Sequence, residues 1–394
     1  MPTSTAATKL QTDLLIIGAG PFGISLAAHA QQNGLDYLMV GVPMEFWKQN
    51  MPEGMYLRSA CDWHLDADGE HTIESFLAQQ QLTPEAVEPL SLEFYLSYVQ
   101  WFLAQKQLKN LPVYVQQLDR ESDGSFTALL QDGTLVEAQR VAIAVGFKYF
   151  VNFPVELTSL LPIGHYVHTC DFVELNQLQG KTCLILGGRQ SAFEWAALLA
   201  EAEAKAIHLA YRHETPAFVE ADWSWVNKIV DAMEDNPGWY RHLSDAEKKE
   251  VSYRLWAEGR LKLEPWLKDR ITNDQVHLWP QSQVTSTTLL PNGKVLVTLD
   301  SGVELEVDQI ILATGYKAAV ERIPFLREGN LLPQLAIQDG FPELDETFQT
   351  NVPGLYITSL PAGRDFGPFF GFTVAVRVAT KLIGRGLLQE STTI

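Results

Sequence analysis

A repeated local pattern constrains this chain of 394 residues more than any other feature: an apolar run, a glycine turn, then a helix of small residues. The first copy begins with the segment from Leu14 to Gly23, and the second begins with the segment from Cys183 to Ala192. A continuous apolar run is what a parallel strand buried on both faces requires. Glycine at the turn lets the backbone approach a phosphate closely. Both segments therefore predict the start of a βαβ unit.

The repeat extends well beyond the two turns. Each copy continues through a polar hairpin signal to another apolar run that ends at a glycine, Gly146 in the first copy and Gly315 in the second. The distance from Gly18 to Gly146 is 128 residues, and the distance from Gly187 to Gly315 is also 128 residues. A fixed period of this kind indicates that one structural plan occurs twice. We therefore predict an α/β fold with two Rossmann-like dinucleotide-binding domains and two cofactor sites.

The first turn carries a phosphate-binding pattern. Gly18, Gly20 and Gly23 form G-x-G-x-x-G between a strand and a helix, so a pyrophosphate can lie at the N-terminus of the helix, where N–H groups and the helix dipole favour negative charge. An acidic residue is expected about 20 residues later to bind the ribose. The second strand instead ends at Gly41, and Glu45 is the nearest carboxylate. We take Glu45 as the candidate substitute.

The second turn departs from this pattern. Arg189 stands where the second glycine lets the backbone approach, and it would either clash with a pyrophosphate or contact its phosphates. A third interpretation is that this nucleotide site is degenerate, and all three interpretations stay open. Arg212 follows the next strand of this copy, where a guanidinium suits the 2′-phosphate of NADP. The sequence favours NADPH over NADH.

The remaining segments set the domain boundaries. A Pro- and Gly-containing stretch around residue 160 connects the copies, and a short strand at 354–358 has no counterpart in the first copy. We expect this tail to return to the first domain, which makes that domain discontinuous. The expected division is residues 1–160 and 309–394 for an FAD-binding domain and 161–308 for an NAD(P)H-binding domain.

Each copy also contains a helical insertion, and the second is rich in tryptophan. Residues 214–270 hold five of the ten tryptophans of the chain. Such side chains either bury a core against the second domain or form the wall or lid of a pocket. In the first insertion, helix-like spacing of apolar residues predicts helices at 72–80 and 91–107.

Composition excludes several classes of function. The net charge of −19 disfavours nucleic acid and anionic membranes, since both bind through Lys and Arg. No apolar stretch approaches the roughly 18 residues that span a bilayer, and the polar N-terminus lacks the order of a signal peptide, so we expect a cytoplasmic protein. The three cysteines form no CxxC pair. We expect no metal site, and the sequence leaves the oligomeric state open.

Taken in order, these motifs resemble the class B flavin-dependent monooxygenases. The resemblance rests on the first glycine turn, Trp47 after the second strand, a G-x-x-x-H element from Gly164 to His168, a second turn ending Gln-Ser-Ala, and Ala-Thr-Gly-Tyr ending at Tyr316. It covers nearly the whole chain. The Trp-rich insertion and the tail around Phe366 further resemble the siderophore-type amine N-hydroxylases. The implied fold is a pair of glutathione-reductase-type domains with helical insertions.

The resemblance also implies roles for individual residues. It places the FAD pyrophosphate against Gly18, Gly20, Pro21, Phe22 and Gly23. It places other parts of FAD beside Trp47, Leu57, Arg58, Gln117 and Leu118. Residues that would hold NADPH are Gly188, Gln190, Ser191 and Arg212. Those that would approach the flavin are Thr314, Gly315, Phe366, Gly367 and Pro368. The glycine-rich opening of the last helix either faces the flavin ring or is an ordinary packing corner. Pro162 stands where this family usually has Phe before the G-x-x-x-H element.

Three hypotheses for the function follow. In the leading one, NADPH reduces FAD, the reduced flavin captures O2 as a peroxide adduct, and one oxygen atom passes to a small nucleophilic, amine-like substrate. The second is a flavin-dependent NAD(P)H reductase or dehydrogenase that uses another electron acceptor. The third is a non-catalytic flavoprotein redox sensor in which Arg189 blocks the nucleotide site. The cofactor supplies the reactive atom in the first case, which suits a chain without an evident catalytic triad.

Overall fold

The computed structural model of the protein describes residues 8–171 and 173–391. Its strands alternate with helices in both halves of the chain. The strands are β1 (Lys9–Ile17), β2 (Tyr37–Val40), β3 (Asn110–Leu111), β4 (Val115–Arg120), β5 (Phe126–Leu130), β6 (Leu135–Ile143), β7 (Tyr166–His168), β8 (Thr182–Leu186), β9 (Ala206–Ala210), β10 (Ala217–Phe218), β11 (Lys262–Leu263), β12 (Val276–Trp279), β13 (Val284–Leu289), β14 (Val295–Leu299), β15 (Glu304–Val307), β16 (Gln309–Leu312), β17 (Ile337–Gln338), β18 (Phe341–Pro342) and β19 (Leu355–Ile357).

The helices follow the glycine turns or belong to the insertions and the tail. They are α1 (Pro21–Gln32), α2 (Glu45–Gln49), α3 (Ile73–Gln79), α4 (Pro84–Val87), α5 (Leu92–Lys106), α6 (Val155–Thr158), α7 (Gln190–Glu201), α8 (Ser224–Ala232), α9 (Trp239–His242), α10 (Asp245–Arg260), α11 (Leu267–Ile271), α12 (Pro324–Glu328), α13 (Gly363–Phe366) and α14 (Val376–Ser391). The predicted helices of the first insertion are confirmed as α3 and α5. Thr72 and Ser91 cap them by accepting a hydrogen bond from the backbone N–H three residues later.

The first sheet has the strand order β3-β2-β1-β6-β5-β4. Strands β1, β2, β3 and β6 run parallel, and β4 and β5 are joined to β6 by antiparallel pairing. The central strand β1 is buried from Leu14 to Ile17, as a strand covered on both faces must be. Strand β19 of the tail pairs parallel with β6, with Leu355 beside Val141. The tail therefore returns to the first sheet through this pairing, and the expected division into domains stays a prediction.

The second sheet is parallel throughout, with the order β12-β9-β8-β16-β7. An antiparallel sheet of β13, β14 and β15 packs beside it, and its apolar side chains share a core with Leu184 and Ile310. The expected boundary at residue 308 falls before β16, which pairs with β7 and β8 in this sheet. Strand β16 therefore belongs to the second sheet. We call the first sheet with its helices the first unit and the second sheet with its helices the second unit.

The Trp-rich insertion packs mainly against the first unit. Trp225, Val226 and Leu255 belong to the core that also contains strand β1 and the tail, and the Trp225 ring lies edge-on to Phe369 at 6.0 Å. Lys381 of α14 pairs with Glu234 at 2.8 Å on the same side. Of the two interpretations of the insertion, a core against the second domain is therefore wrong for most of it. The tryptophan that packs on the core of the second unit is Trp266.

Candidate functional site

A single cavity of about 820 Å³ lies where the two parallel sheets end. Both glycine turns line it, the first after β1 and the second after β8. The residues that follow β2, β6, β7, β9, β16 and β19 at their carboxyl ends line it as well. Ligands of open α/β sheets bind at this edge, outside the carboxyl ends of the strands. The cavity is therefore the candidate functional site.

The first turn has the shape of a phosphate cradle. Gly18 has a φ of +118°, and a β-carbon on it would lie 2.3 Å from the carbonyl oxygen of Ala144. A β-carbon on Gly20 would meet nothing within 4 Å, whereas one on Gly23 would lie 1.8 Å from the Gly18 oxygen. No side chain caps the start of α1. The three glycines thus serve a tight turn, an open approach to the helix N-terminus and close packing of helix on strand.

The end of β2 explains the missing ribose acid. Gly41 has a φ of +124°, and a β-carbon on it would lie 3.3 Å from the backbone nitrogen of Ala19 in the first turn. A side chain is therefore disfavoured at this position. Glu45, at the start of α2, lines the cavity and pairs with Lys148 at 2.6 Å. The Tyr114 hydroxyl also donates a hydrogen bond to Glu45, and the Lys148 ammonium lies 3.8 Å from the Tyr114 ring centre.

The second turn differs from the first in its local packing. A β-carbon on Gly187 would lie 2.6 Å from the carbonyl oxygen of Ala313, which resembles the contact of Gly18. A β-carbon on Gly188 would lie 2.5 Å from the side chain of Tyr211. Arg189 occupies the position before α7 that Gly20 occupies before α1, and its side chain is exposed and lines the cavity. The guanidinium is therefore at the entrance to the second helix N-terminus.

Asn152 connects the two halves of the cavity. The Thr314 hydroxyl donates to the Asn152 carbonyl oxygen at 2.6 Å, and the Asn152 amide donates back to the Thr314 carbonyl oxygen at 3.2 Å. The backbone N–H of Asn152 donates to the Gly315 carbonyl oxygen at 3.0 Å. These bonds hold the segment after β6 against the segment after β16. Both segments line the cavity.

The first insertion and the Trp-rich insertion together supply another side of the cavity. We call this side the indole wall and define it as Trp63, Trp223, Val226, Leu255 and Gly259, all of which line the cavity. The rings of Trp63 and Trp223 meet edge to face at 6.2 Å. A β-carbon on Gly259 would lie 2.6 Å from the Trp223 ring, so Gly259 leaves room for that indole.

Polar contacts fix this wall to the first unit. The Trp63 indole N–H donates to the Asn227 side-chain oxygen at 2.8 Å, and the Asn227 amide donates to Asp62 at 2.8 Å. Arg58 donates to Glu264 at 2.6 Å and to the Gly259 carbonyl oxygen, and its guanidinium lies 5.0 Å from the Trp223 ring centre. The insertion is therefore held as a wall of the cavity.

Most of the sequence-predicted site residues line this one cavity. They are Gly18, Gly20, Pro21, Phe22, Glu45, Trp47, Leu57, Arg58, Gly188, Arg189, Gln190, Ser191, Arg212, Thr314, Gly315 and Pro368. Five others do not line it: Gly23, Gln117, Leu118, Phe366 and Gly367. Leu118 is fully buried in β4, and Val115 of that strand reaches the cavity instead. Phe366 lies in the core, stacked on Phe348 at 3.7 Å.

Sequence reasoning missed several residues of the cavity. Tyr114, Lys148, Asn152, Trp63 and Tyr316 line it without having been assigned a site role. Lys148 and Asn152 could have been predicted as site residues, because both follow the apolar run that forms β6. Ligand sites lie at the carboxyl ends of parallel strands. The positions of Trp63 and Tyr114 depend on long-range packing, which the sequence pattern does not encode.

Lys and Arg residues outnumber carboxylates among the residues that line the cavity, although the protein as a whole is acidic. The Lys and Arg residues of the cavity are Arg58, Lys148, Arg189 and Arg212, whereas its carboxylates are Glu45 and Glu156. The chain as a whole has a net charge of −19. Such a local excess of positive charge attracts anionic ligands such as dinucleotides. In residues 8–171 and 173–391, no group of three His, Cys, Asp or Glu side chains is arranged to hold a metal ion.

Two glycine turns that each follow a parallel strand open into one cavity, which is the arrangement of a fold with two dinucleotide-binding domains. A model of the pyridine nucleotide-disulphide oxidoreductase family matches residues 15–235. This is more than half of the chain, and the chain belongs to that family. The expectation of an NAD(P)H-dependent flavoprotein enzyme is confirmed at this level. Across the described part of the chain, no helix has the length and apolar character to cross a membrane.

Curated relatives match part of this chain. Ferredoxin–NADP reductase of Paraburkholderia xenovorans strain LB400 is 24% identical over 239 residues, which cover 59% of this chain and 60% of that protein. The corresponding reductase of Paraburkholderia phymatum is 28% identical over 232 residues, which cover 57% and 58%. The chain thus spans about 60% of the length of these relatives.

Solved structures match nearly the whole chain. Ornithine N-hydroxylase of Kutzneria sp. 744, with reduced FAD, NADP+ and L-ornithine, has a TM-score of 0.78 at 14% identity, covering 97% of this chain and 100% of that chain. Ornithine hydroxylase of Pseudomonas aeruginosa has a TM-score of 0.77 at 17% identity, with the same coverage of both chains. Bacillithiol disulfide reductase of Staphylococcus aureus has a TM-score of 0.67 at 19% identity, and the match covers 97% of this chain and 99% of that chain. These likenesses confirm the predicted two-domain fold, and the expected cofactors, FAD and NADP, agree with the family and these neighbours.

Proposed function

We propose that this protein is an FAD-dependent NADPH monooxygenase that transfers one oxygen atom of O2 to a small nucleophilic substrate. The observation that carries the proposal is the shared cavity, in which the two glycine turns and the indole wall enclose one space. Two dinucleotides bound at the carboxyl ends of the two sheets would meet there. The indole wall would then exclude water from the third component, the substrate.

The residues of the first turn fit FAD. Gly20 leaves the N-terminus of α1 open to a pyrophosphate, and the uncapped N–H groups of the first helical turn favour its negative charge. Glu45 is the carboxylate available to a ribose, with Lys148 and Tyr114 holding it in place. Bound FAD would supply hydride acceptance and the reaction with O2. We assign residues 1–160 and 313–394 to this domain.

The residues of the second turn fit NADPH. Gly188, Gln190 and Ser191 line the cavity at the start of α7, and Arg212 lines it just after β9. A guanidinium at the end of this strand is the group that binds a 2′-phosphate. Arg189 is exposed to the same space, which favours a role in contacting phosphates over a blocking role. We assign residues 161–312 to the NADPH domain.

The overall reaction balances without a residue acting as nucleophile. NADPH, a proton, O2 and the substrate give NADP+, water and the oxygenated substrate. The two electrons come from NADPH, one oxygen atom enters the substrate, and the other leaves as water. The task of the chain is therefore to bind, to orient and to exclude water.

A reductase that uses another electron acceptor is the second candidate. The ferredoxin–NADP reductases among the curated relatives favour it. The version that uses a cysteine pair of the protein itself is disfavoured, because all three cysteines are buried and unbridged. Burial raises the pKa of Cys170 and of Cys183 to about 12 and raises that of Cys61 as well. The reactive thiolate is therefore scarce at neutral pH.

The decisive experiment follows flavin reduction and O2 consumption in the purified holoprotein. A monooxygenase is reduced by NADPH without air and, with air and substrate, consumes O2 in proportion to oxygenated product. A protein that is reduced by NADPH but passes its electrons to ferricyanide with no oxygenated product is the reductase. A protein whose flavin NADPH cannot reduce, or one that binds no flavin, contradicts both proposals. In that case Arg189→Gly tests whether the side chain blocks the nucleotide.

A further inference from the structure

The indole wall encloses a compartment with an unusual chemical character. Trp63, Trp223, Val226 and Leu255 present apolar surface to the cavity. Trp63 is 5% exposed, and Leu255 is 4% exposed, so both are fixed parts of the wall. Aromatic walls of this kind favour flat, apolar partners, which pack in offset or edge-to-face contact.

No carboxylate of the cavity belongs to this compartment. The two carboxylates among the lining residues are Glu45 and Glu156. Glu45 is paired with Lys148 at 2.6 Å and accepts a hydrogen bond from Tyr114, at the end of β2. Glu156 is in α6, whose neighbours Leu157 and Leu160 pack on the core of the second unit. Neither of the carboxylates that line the cavity therefore lies on the indole wall.

Arg58 is a cation that contacts this wall, and it is already paired with a carboxylate. Arg58 donates to the Glu264 carboxylate at 2.6 Å and to the Gly259 carbonyl oxygen, and it lies over the Trp223 ring. Its remaining nitrogen, Nη2, is buried without a hydrogen-bond partner and is not exposed to the cavity. A substrate carboxylate would have to displace Glu264, and a substrate ammonium would meet a guanidinium of like charge. The Arg58–Glu264 pair therefore disfavours both charged groups of an amino acid at this point of the wall.

One uncharged polar pair includes Ser59, which directly follows Arg58, the residue whose guanidinium lies over the Trp223 ring. The hydroxyls of Ser59 and Thr373 lie 2.9 Å apart, and both residues line the cavity. Each hydroxyl both donates and accepts, so the pair suits one neutral polar atom of a ligand. The compartment therefore combines aromatic surface, no net charge and one hydrogen-bonding position.

Resting on the proposed function, we propose that the substrate is an uncharged aromatic amine rather than the ammonium of a diamino acid. The nitrogen lone pair of such a compound is available to accept oxygen without loss of a proton from an ammonium. The indole wall would hold the ring, and the Ser59–Thr373 pair would hold the polar group. This specificity differs from that of the structural neighbours that act on ornithine.

The test is a binding experiment that does not require turnover. Aniline and cyclohexylamine have similar size, but at neutral pH aniline is uncharged whereas cyclohexylamine carries an ammonium. Dissociation constants for both, and for L-ornithine, are measured from the change in the flavin absorbance of the oxidised holoprotein in the presence of NADP+. We expect aniline to bind about 100-fold more tightly than either cation, since burial of an unpaired charge is strongly unfavourable.

Variants locate the binding at the wall. Val226→Asp places a carboxylate on the wall. We expect this variant to bind aniline more weakly than the parent protein does, and to bind cyclohexylamine at least as tightly as it binds aniline. Trp223→Phe is a milder change that keeps an aromatic ring, and we expect it to weaken aniline about threefold to tenfold. Trp239→Phe, in the same insertion but outside the cavity lining, serves as the matched control and should leave aniline binding unchanged.

The outcomes separate this inference from the proposed function. Tighter binding of cyclohexylamine or L-ornithine than of aniline overturns the inference, as does failure of aniline to bind or an effect of Trp223→Phe equal to that of Trp239→Phe. Whether NADPH reduces the flavin is measured separately in the absence of ligand. A holoprotein that prefers aniline but is not reduced by NADPH contradicts the monooxygenase and leaves the ligand preference established.

Discussion

Gly23 faces Gly18 so closely that a β-carbon on Gly23 would lie 1.8 Å from the Gly18 carbonyl oxygen. This contact joins the first turn of α1 to the end of β1. A β-carbon on Gly20, three residues earlier, would meet no heavy atom within 4 Å. The two glycines of one motif therefore have different physical duties. One permits packing, and the other leaves space for a ligand.

Alanine at these two positions should separate stability from cofactor binding. We expect Gly23→Ala to destabilise the protein by about 3 kcal/mol or more, because backbone atoms must move apart. We expect Gly20→Ala to cost no more than about 1 kcal/mol, the difference between Gly and Ala at a helix N-cap. The same variant should lose most of its FAD, since the added methyl group occupies the approach to the helix. Thermal melts of the apoprotein and the bound-flavin content check both. Equal FAD content in Gly20→Ala and the parent protein would contradict the assignment.

Arg212 should set the preference for NADPH. Arg212→Gln removes the guanidinium that lines the cavity after β9, and we expect KM for NADPH to rise about tenfold with little change for NADH. Lys205 precedes the same strand at its opposite end, so Lys205→Gln is a control with the same change of charge. Steady-state kinetics of flavin reduction with both nucleotides supply the measurement. A parallel rise of KM for NADPH and NADH would argue against contact with the 2′-phosphate.

The three thiols should be unreactive in the folded protein. All three cysteines are buried, and burial raises the pKa of Cys170 and of Cys183 to about 12. Since the thiolate is the attacking species, we expect Ellman's reagent to titrate none of them rapidly in the native state and all three after denaturation. Replacement of all three by serine should leave flavin reduction by NADPH intact. A thiol that reacts rapidly in the native protein would instead support a cysteine-dependent disulfide reductase.

His208 should weaken the fold on acidification. Burial, together with the neighbouring His277, lowers the pKa of His208 from 6.5 to about 4. The Trp279 indole N–H donates to His208 Nδ1 at 3.2 Å, so the folded state holds the neutral imidazole. The unfolded chain binds the proton first, and the stability contributed by this group is lost as pH falls from about 6.5 towards 4. We expect His208→Gln to show a smaller fall of Tm across this range. Burial also lowers the pKa of His64 to about 4, so the His208→Gln variant should still lose some stability over this pH range.

The elements that local sequence determines were predictable. The turn at Gly18 combines a buried apolar run with a glycine at positive φ, and both signals lie within a few residues of each other. The helices α3 and α5 likewise carry their own caps at Thr72 and Ser91. These features depend on neighbours in sequence, which a single chain displays directly.

The features that depend on distant contacts were not predictable. Trp225 packs on Phe369, and this contact places the insertion on the first unit although the chain enters it from the second. Phe366 belongs to a glycine-rich loop that suggested a ligand site, but its ring stacks on Phe348 in the core. The indole wall requires Trp63 and Trp223 from separate insertions to meet. No periodicity in one segment reports which apolar surface another segment will cover.

Asn227 supplies the last prediction, because its side chain is bonded at both ends. Its oxygen accepts from the Trp63 indole N–H at 2.8 Å, and its amide donates to Asp62 at 2.8 Å. Asn227→Asp keeps the acceptor for Trp63 but brings two carboxylates together, and burial already raises the pKa of Asp62. We expect a loss of about 2 kcal/mol at neutral pH.

The pH dependence of that loss distinguishes charge repulsion from simple loss of packing. Two adjacent carboxylates share a proton, so the pKa of the pair is raised in the folded state. The folded variant then binds a proton that the unfolded chain does not, and its stability should recover as pH falls from about 7 to about 5. Asn236→Asp, an exposed position in the same insertion, is the matched control and should show neither the loss nor the recovery. Chemical denaturation at the two pH values measures both quantities. A deficit in Asn227→Asp that is the same at both would mean that the amide acts through shape alone and that the bond to Asp62 does not hold the wall.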